Sequence, residues 1–228
     1  MDEQLLNVAY TAEYMDYLTE IDKALFCSEY FVKENQETLE NLTIKTRRFV
    51  CDSHPNYPYG LEGSETDILI DDNTIYSFRT HDDHYVFDPF IHQNGNQYLV
   101  FRQDLYGYSV LNITSRQDYR YYPKGSFPEG ETFIWCRLHY NPHNNIAAVD
   151  GCFWACSSGI VLADFTDPMQ DTTYIDINEH VNFKYNGIEF MRWEGTDLVG
   201  KRRIEKEMVE IIIKEEEYLS WLEADRQA

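Results

Sequence analysis

A mainly β fold of antiparallel meander units in a propeller-like arrangement, partial or small, with short N- and C-terminal helices, is the class that this sequence predicts. Three observations carry the prediction. First, Asn96–Phe101 leads through a polar turn to Gly107–Ile113, and about 48 residues later Asn144–Asp150 leads to Gly159–Phe165. Each copy is an apolar strand, a turn and a second apolar strand, and a spacing of roughly 40–50 residues is the period of a propeller blade. Second, aromatic residues make up 15% of the chain, led by 18 Tyr, and rings pack well on pleated surfaces. Third, turn-forming clusters such as Asp71-Asp72-Asn73 and Gln93-Asn94-Gly95-Asn96 fall between the apolar runs.

The elements follow in order. Over residues 1–42, Tyr14, Met15, Tyr17, Leu18, Ile21, Leu25 and Phe26 recur near helical spacing. Glu13, Asp16, Glu20 and Asp22 stand between them, which predicts an amphipathic helix. Cys27–Val32 is compatible with helix or strand, and the polar stretch Glu34–Asn41 with a loop or a short helix. From Thr43 to Val50 the residues read as β. His54–Gly60, with Pro55 and Pro58, excludes regular structure, and Asp67–Ile70 and Thr74–Phe78 flank a hairpin turn. A second unit runs from about His84 to Tyr122, with strands at Tyr85–Phe87, Tyr98–Arg102, Tyr108–Ile113 and Tyr119–Tyr122. A third runs from Thr132 to Ile177, with strands at Phe133–Tyr140, Asn145–Trp154, Gly159–Phe165 and Thr173–Ile177.

The fourth unit has two readings. Ile204, Met208, Ile211, Ile212, Leu219 and Leu222 fit one long helix over 201–224. The β-branched positions between Val209 and Ile213 favour strands through Lys214 instead, followed by a short helix that turns Tyr218, Leu219 and Leu222 inward. The chain is thus expected to be a single domain over 1–228. It comprises a helical or irregular segment (1–42), β units (43–214) and a short C-terminal helix (215–228).

The third unit resembles a blade of the WD-repeat propellers. Tyr140-Asn141-Pro142-His143-Asn144-Asn145 stands where such a blade turns into an apolar strand. Val161-Leu162-Ala163-Asp164-Phe165 stands where a strand ends in an aromatic–Asp pair. The Asp-Phe order is reversed relative to Trp-Asp, and the Gly-His opening is absent. The resemblance covers residues 84–177 and implies loop-lined faces suited to protein binding. Val149–Cys156 with Asp164–Pro168 also resembles a family of small bacterial proteins, from which no site residue carries over. Three or four units are at the lower edge for a closed propeller. A ring, an open partial propeller and two packed sheets all accommodate them, and open strand edges then call for a cover, from the N-terminal segment or a second copy.

Forty acidic residues against nineteen basic ones give a formal charge of −21. Such a chain repels phosphate backbones and anionic lipid, so neither nucleic acid nor membrane is an expected partner. A basic protein is steered toward it. The start, Met1-Asp2-Glu3-Gln4, lacks the features of a signal peptide, and no stretch reaches the roughly 20 apolar residues of a membrane span. Five cysteines at irregular spacing suit a reduced chain, so a cytoplasmic location is expected.

Motifs for chemistry are sparse. His81-Asp82-Asp83-His84 has donor types suited to zinc, but no spacing motif, and reads more simply as a polar turn. Cys152 and Cys156, with Cys136, His139 and His143 nearby, share a face if they lie on one strand. At about 3.3 Å per residue they stand too far apart to share an ion without a bend, and free cysteines pack as small apolar groups. No metal and no cofactor is expected. The 11 glycines form no phosphate loop, and no Gly-x-Ser-x-Gly elbow is present, so catalytic residues stay unassigned. The acidic pairs Asp71–Asp72 and Asp82–Asp83 are suited to acid–base work or simply to turns. Trp135, Phe153, Trp154 and Trp193 are suited to a sugar groove or to a core. Two functions follow. One is a non-catalytic protein-interaction module with an acidic surface, in its specific form a neutralising partner of a basic protein, with homo-oligomerisation through exposed sheet edges. The other is a protein or hydrolase that takes carbohydrate or another small ligand between carboxylates in an aromatic-lined cleft.

Overall fold

The computed structural model describes residues 3–81, 85–128, 130–154, 158–172, 174–180 and 187–227. In chain order they form α1 (Ala12–Leu25), β1 (Phe31–Leu39), β2 (Leu42–Cys51), β3 (Leu61–Ile70), β4 (Asn73–Thr80) and β5 (Tyr85–Val86). Then come β6 (Phe90–Ile91), β7 (Gln97–Arg102), β8 (Tyr108–Asn112), β9 (Gln117–Tyr121), β10 (Phe133–Asn141), β11 (Ile146–Phe153) and β12 (Ser158–Asp164). The last are β13 (Tyr174–Asp176), α2 (Ile177–His180), β14 (Glu189–Glu194), β15 (Asp197–Ile204), β16 (Glu207–Ile213) and α3 (Glu215–Gln227). The fold is mainly β, in four antiparallel sheets ordered β1-β2-β3-β4, β5-β7-β8-β9, β10-β11-β12-β13 and β14-β15-β16. No sheet closes on itself among the described residues. No helix there is long and apolar enough to cross a membrane.

The chain divides into two compact units. One comprises Asn7–Pro89 and Gln97–Tyr122; the other comprises Met1–Leu6, Phe90–Asn96 and Pro123–Ala228. In the first, alternation in β2, β3 and β4 turns Leu42, Ile44, Ile68 and Phe78 to one face. There they meet Leu99, Phe101, Leu111 and Ile113 from the β7–β8 hairpin and its end. The rings of Phe78 and Phe101 lie 4.1 Å apart. Each such buried side chain contributes about 1.5–3 kcal/mol, so this sheet-on-sheet contact dominates the unit. Helix α1 starts at the Thr11 cap, whose side chain accepts from the Tyr14 N–H at 3.4 Å, and buries Tyr14, Ile21 and Leu25. Leu25 reaches a small second cluster with Phe49 and Cys51.

In the other unit, Ile146, Ala148, Ile160, Leu162 and Ile175 from β11, β12 and β13 pack with Leu198 of β15 and Ile213 of β16. Tyr218 and Leu222 of α3 close this core, and Leu219 packs beside it. The Tyr218 hydroxyl donates to the Thr196 carbonyl at 2.5 Å and accepts from Asn144 Nδ2 at 2.7 Å. His92 is buried, with Nε2 2.9 Å from the Phe165 carbonyl and Nδ1 accepting the Asn94 N–H at 3.1 Å. With Nδ1 accepting, Nε2 is the nitrogen placed to donate to the carbonyl.

Two expectations are corrected or decided. The segment 1–42, read as helical or irregular, contains the nine-residue strand β1. Every residue of β1 except Leu39 is exposed, so no face carries the apolar alternation by which a strand is recognised. Its pairing comes from the two-residue turn Glu40-Asn41, with Glu40 at φ +55°, and from the register Lys33↔Arg48 to Leu39↔Leu42. The stretch 201–224 is strand through Ile213 and helix from Glu215, as the β-branched run indicated.

Gly107 sits at φ +84°, and a Cβ there would meet the Tyr121 carbonyl at 2.2 Å. Gly95 has a similar φ of +83° with nothing within 4 Å. Gly95→Ala is therefore expected to cost only the left-handed conformation, about 1–2 kcal/mol. Gly107→Ala adds a backbone clash and is expected to cost at least about 3 kcal/mol. Urea denaturation of both variants checks the order.

Candidate functional site

A cavity of about 480 Å³ lies within the first unit, between α1 and the β1–β4 and β5–β9 sheets. The helix offers it one face: Tyr14, Leu18 and Asp22 follow at intervals of four, with Met15 and Thr19 beside them. The first sheet offers a row of charge set by its register, with Arg47 opposite Glu65 and Glu65 opposite Arg79. Two residues along, Asp67 stands opposite Ser77 on the same face. From the second sheet come Tyr108, Ser109, Tyr121 and the adjoining Gln103, Asp104 and Tyr122.

These groups are held firmly. Asp22 accepts from Arg79 Nη1 at 2.9 Å through Oδ2 and lies 2.6 Å from His81 Nε2 through Oδ1. Arg79 also gives Nε and Nη2 to Glu65 Oε1, at 3.0 and 2.7 Å, and stacks over the Phe26 ring at 4.6 Å. Arg47 Nη2 approaches Glu65 at 3.4 Å and Asp67 at 3.6 Å, and Ser77 donates to Asp67 at 2.6 Å. Tyr14 donates to Asp104 at 3.2 Å, and its ring stacks on Tyr122 at 4.6 Å. His81 Nδ1 is buried and has no hydrogen-bond partner among the described residues, so the imidazole is held through Nε2.

The electrostatics fix the protonation states. Burial pushes the Asp22 carboxyl up, but the hydrogen bonds and charges of His81 and Arg79 outweigh it and hold the group below its ordinary range. Burial, reinforced by the Asp104 carboxylate, raises the phenols of Tyr14 and Tyr122 well above theirs. The cavity wall thus presents an ionised acceptor beside protonated phenols. Such groups are chemically suited to hydroxyl and N–H donors and to flat rings. The arrangement does not make Asp22 a general acid, which needs a raised pKa.

The residues singled out from the sequence lie elsewhere, with one exception. His81 faces the cavity as a partner of Asp22; Asp82, Asp83 and His84 lie outside the described residues. Asp71 and Asp72 occupy the β3–β4 turn at φ +49° and +63°, which is a conformational role. Cys156 is also outside the described residues. His139 bonds Asp150 at 3.0 Å and stacks on Phe190 at 4.0 Å, His143 is exposed in a turn, and Cys152 pairs with Ile134 across β10–β11. Among the described residues no group of three or more His, Cys, Asp or Glu is arranged to hold a metal. The tryptophans do not share a groove: Trp135 is buried, Trp154 is exposed, and Trp193 donates to the His139 carbonyl at 2.9 Å beside the core. Sequence reasoning missed the cavity. Its one signal is the 14–18–22 spacing on α1, which places an acid on the same face as the apolar residues.

No family model, curated protein or solved structure matches the chain.

With its pKa lowered on folding, Asp22 contributes stability that is complete above its unfolded value of 3.8 and is lost as pH falls through the lower folded value. Asp22→Asn is expected to lose about 1–2 kcal/mol at neutral pH. The gap to the parent protein should shrink below pH 3.8. Thermal melts followed by circular dichroism between about pH 2.5 and 7 test this, and a gap independent of pH would count against it.

Proposed function

We propose that this protein is a non-catalytic binding protein whose site is the cavity of the first unit, and that it takes a small polyhydroxylated ligand of the carbohydrate class. The cavity carries the reading. About 480 Å³ is within the usual 300–1,000 Å³ of small-molecule sites. Its wall combines the ionised acceptor Asp22 with the phenols of Tyr14, Tyr108 and Tyr122. Carboxylates accept from sugar hydroxyls, and tyrosine faces cover the apolar side of a sugar ring. The lowered pKa keeps Asp22 ionised, and so able to accept hydroxyl donors from a ligand. The order of four consecutive meanders supports a propeller-like arrangement as the scaffold.

The charge of −21 favours a second reading, an acidic interaction module that neutralises a basic protein in the cytoplasm.

Thr19 lines the cavity from an exposed position on α1, so Thr19→Trp narrows the opening without touching the core. In a thermal-shift panel of mono- and disaccharides, at least one sugar should raise the melting midpoint of the parent protein. Thr19→Trp should abolish that shift while its own midpoint stays within about 2 °C. A panel in which no sugar shifts the parent protein rejects this reading. For the second, a basic partner captured from cell extract at low salt should be released at high salt, where screening removes the attraction.

A further inference from the structure

Strand β1 is an edge strand, hydrogen-bonded among the described residues to β2 on one side only. At nine residues it is long for an edge, and it begins with the exposed Phe31 and Val32, 47% and 52% accessible. Such an edge is a template for another strand, and proteins normally shorten, bend or cover it. The bulge at Val32 leaves Lys33–Leu39 as a regular ladder against β2.

The charges along this ladder are arranged about a centre. Lys33 and Glu37 stand two residues to either side of Asn35, and alternation puts all three on the same face. When the strand pairs antiparallel with itself about Asn35, Lys33 of each copy meets Glu37 of the other, and Glu34 meets Gln36. Phe31–Val32 of each copy then overlies Thr38–Leu39 of the other. Both Lys–Glu pairs are of opposite sign, the arrangement that stabilises cross-strand neighbours. A two-fold interface requires this self-complementarity.

A second observation points the same way. Within the chain, Lys33 stands directly opposite Arg48 on β2, a like-charge placement that disfavours pairing. Arg48 is engaged by Glu62 at 2.7 Å, whereas Lys33 makes no ion pair among the described residues. A carboxylate arriving on the open side of Lys33 relieves that repulsion, and Glu37 of a second copy is the group that the register delivers.

We propose that β1 is a homodimerisation edge, pairing antiparallel with β1 of a second copy of this chain about a two-fold axis at Asn35. This joins the β1–β4 sheets of two copies into one continuous sheet.

The test is sedimentation equilibrium of the full chain over a concentration series. Ionic strength is held at about 0.15 M, where the Debye length of about 8 Å screens the repulsion between two acidic chains. The parent protein is expected to dimerise. Lys33→Glu sets a new carboxylate against Glu37 at both ends of the ladder and should weaken the dimer at least about tenfold. The double variant Lys33→Glu/Glu37→Lys restores opposite signs and should restore the dimer. Because both positions are exposed, thermal melts should show all three proteins equally folded. A parent protein that stays monomeric throughout, a dimer that Lys33→Glu leaves unchanged, or a double variant that fails to recover would each overturn the proposal.

Discussion

Asp22 is the group on which the shape of the first unit depends. A helix of 14 residues is marginal on its own in water, and α1 buries only Tyr14, Ile21 and Leu25. Besides the Tyr14 contacts with Asp104 and Tyr122, it is tied to the sheet by one carboxylate that takes Arg79 on one oxygen and His81 on the other. Arg79 is in turn fixed by Glu65 and by the face of Phe26. A carboxylate withdrawn from water is tolerable only when several donors replace its hydration. The geometry is therefore mutually determined: the helix orders the end of β4, β3 orders Arg79, and together they fix one wall of the cavity.

The same economy of cations runs through both units. With 40 acids and 19 bases, a single guanidinium often serves two carboxylates. Arg79 joins Asp22 and Glu65, Arg47 approaches Glu65 and Asp67, and Arg192 joins Glu194 and Glu210 across β14–β16. Most of these pairs are half exposed, where such contacts are worth about 0–1 kcal/mol. Their role is to order side chains on the sheet faces. The free energy of folding comes from the apolar faces, where Leu42, Ile44 and Phe78 meet Leu99 and Phe101, and where Ile160 and Leu162 meet Leu198 and Tyr218.

How much of this was legible in the sequence depends on which surfaces are buried. Strands such as β8, β11 and β12 bury at least one face, and their apolar runs announced them. The β-branched residues of β16 favoured strand over helix without excluding the helix, and the segment is a strand. Strand β1 escaped because both of its faces meet water, so its composition is that of a loop. The cavity escaped for another reason. Asp22, Glu65, Arg79, Asp104 and Tyr122 are spread over about a hundred residues, and only the register of β3 with β4 and the placement of α1 bring them together. Local chemistry drew the eye instead to Asp71–Asp72, which is a turn, and to Trp135 and Trp193, which belong to packing.

Neighbouring strands in each sheet are mostly successive in the chain, and the links between them are short. The left-handed residues Glu40, Asp71, Asp72, Arg116, Asn145 and Glu205 close several of these links in a few residues each. Closing a small loop costs little chain entropy, so a meander such as β2–β3–β4 needs no distant partner to begin pairing. The order of folding is then written along the chain. Each meander is a local kinetic unit that can assemble on the microsecond scale of hairpins, and the slower event is the meeting of apolar faces from different meanders.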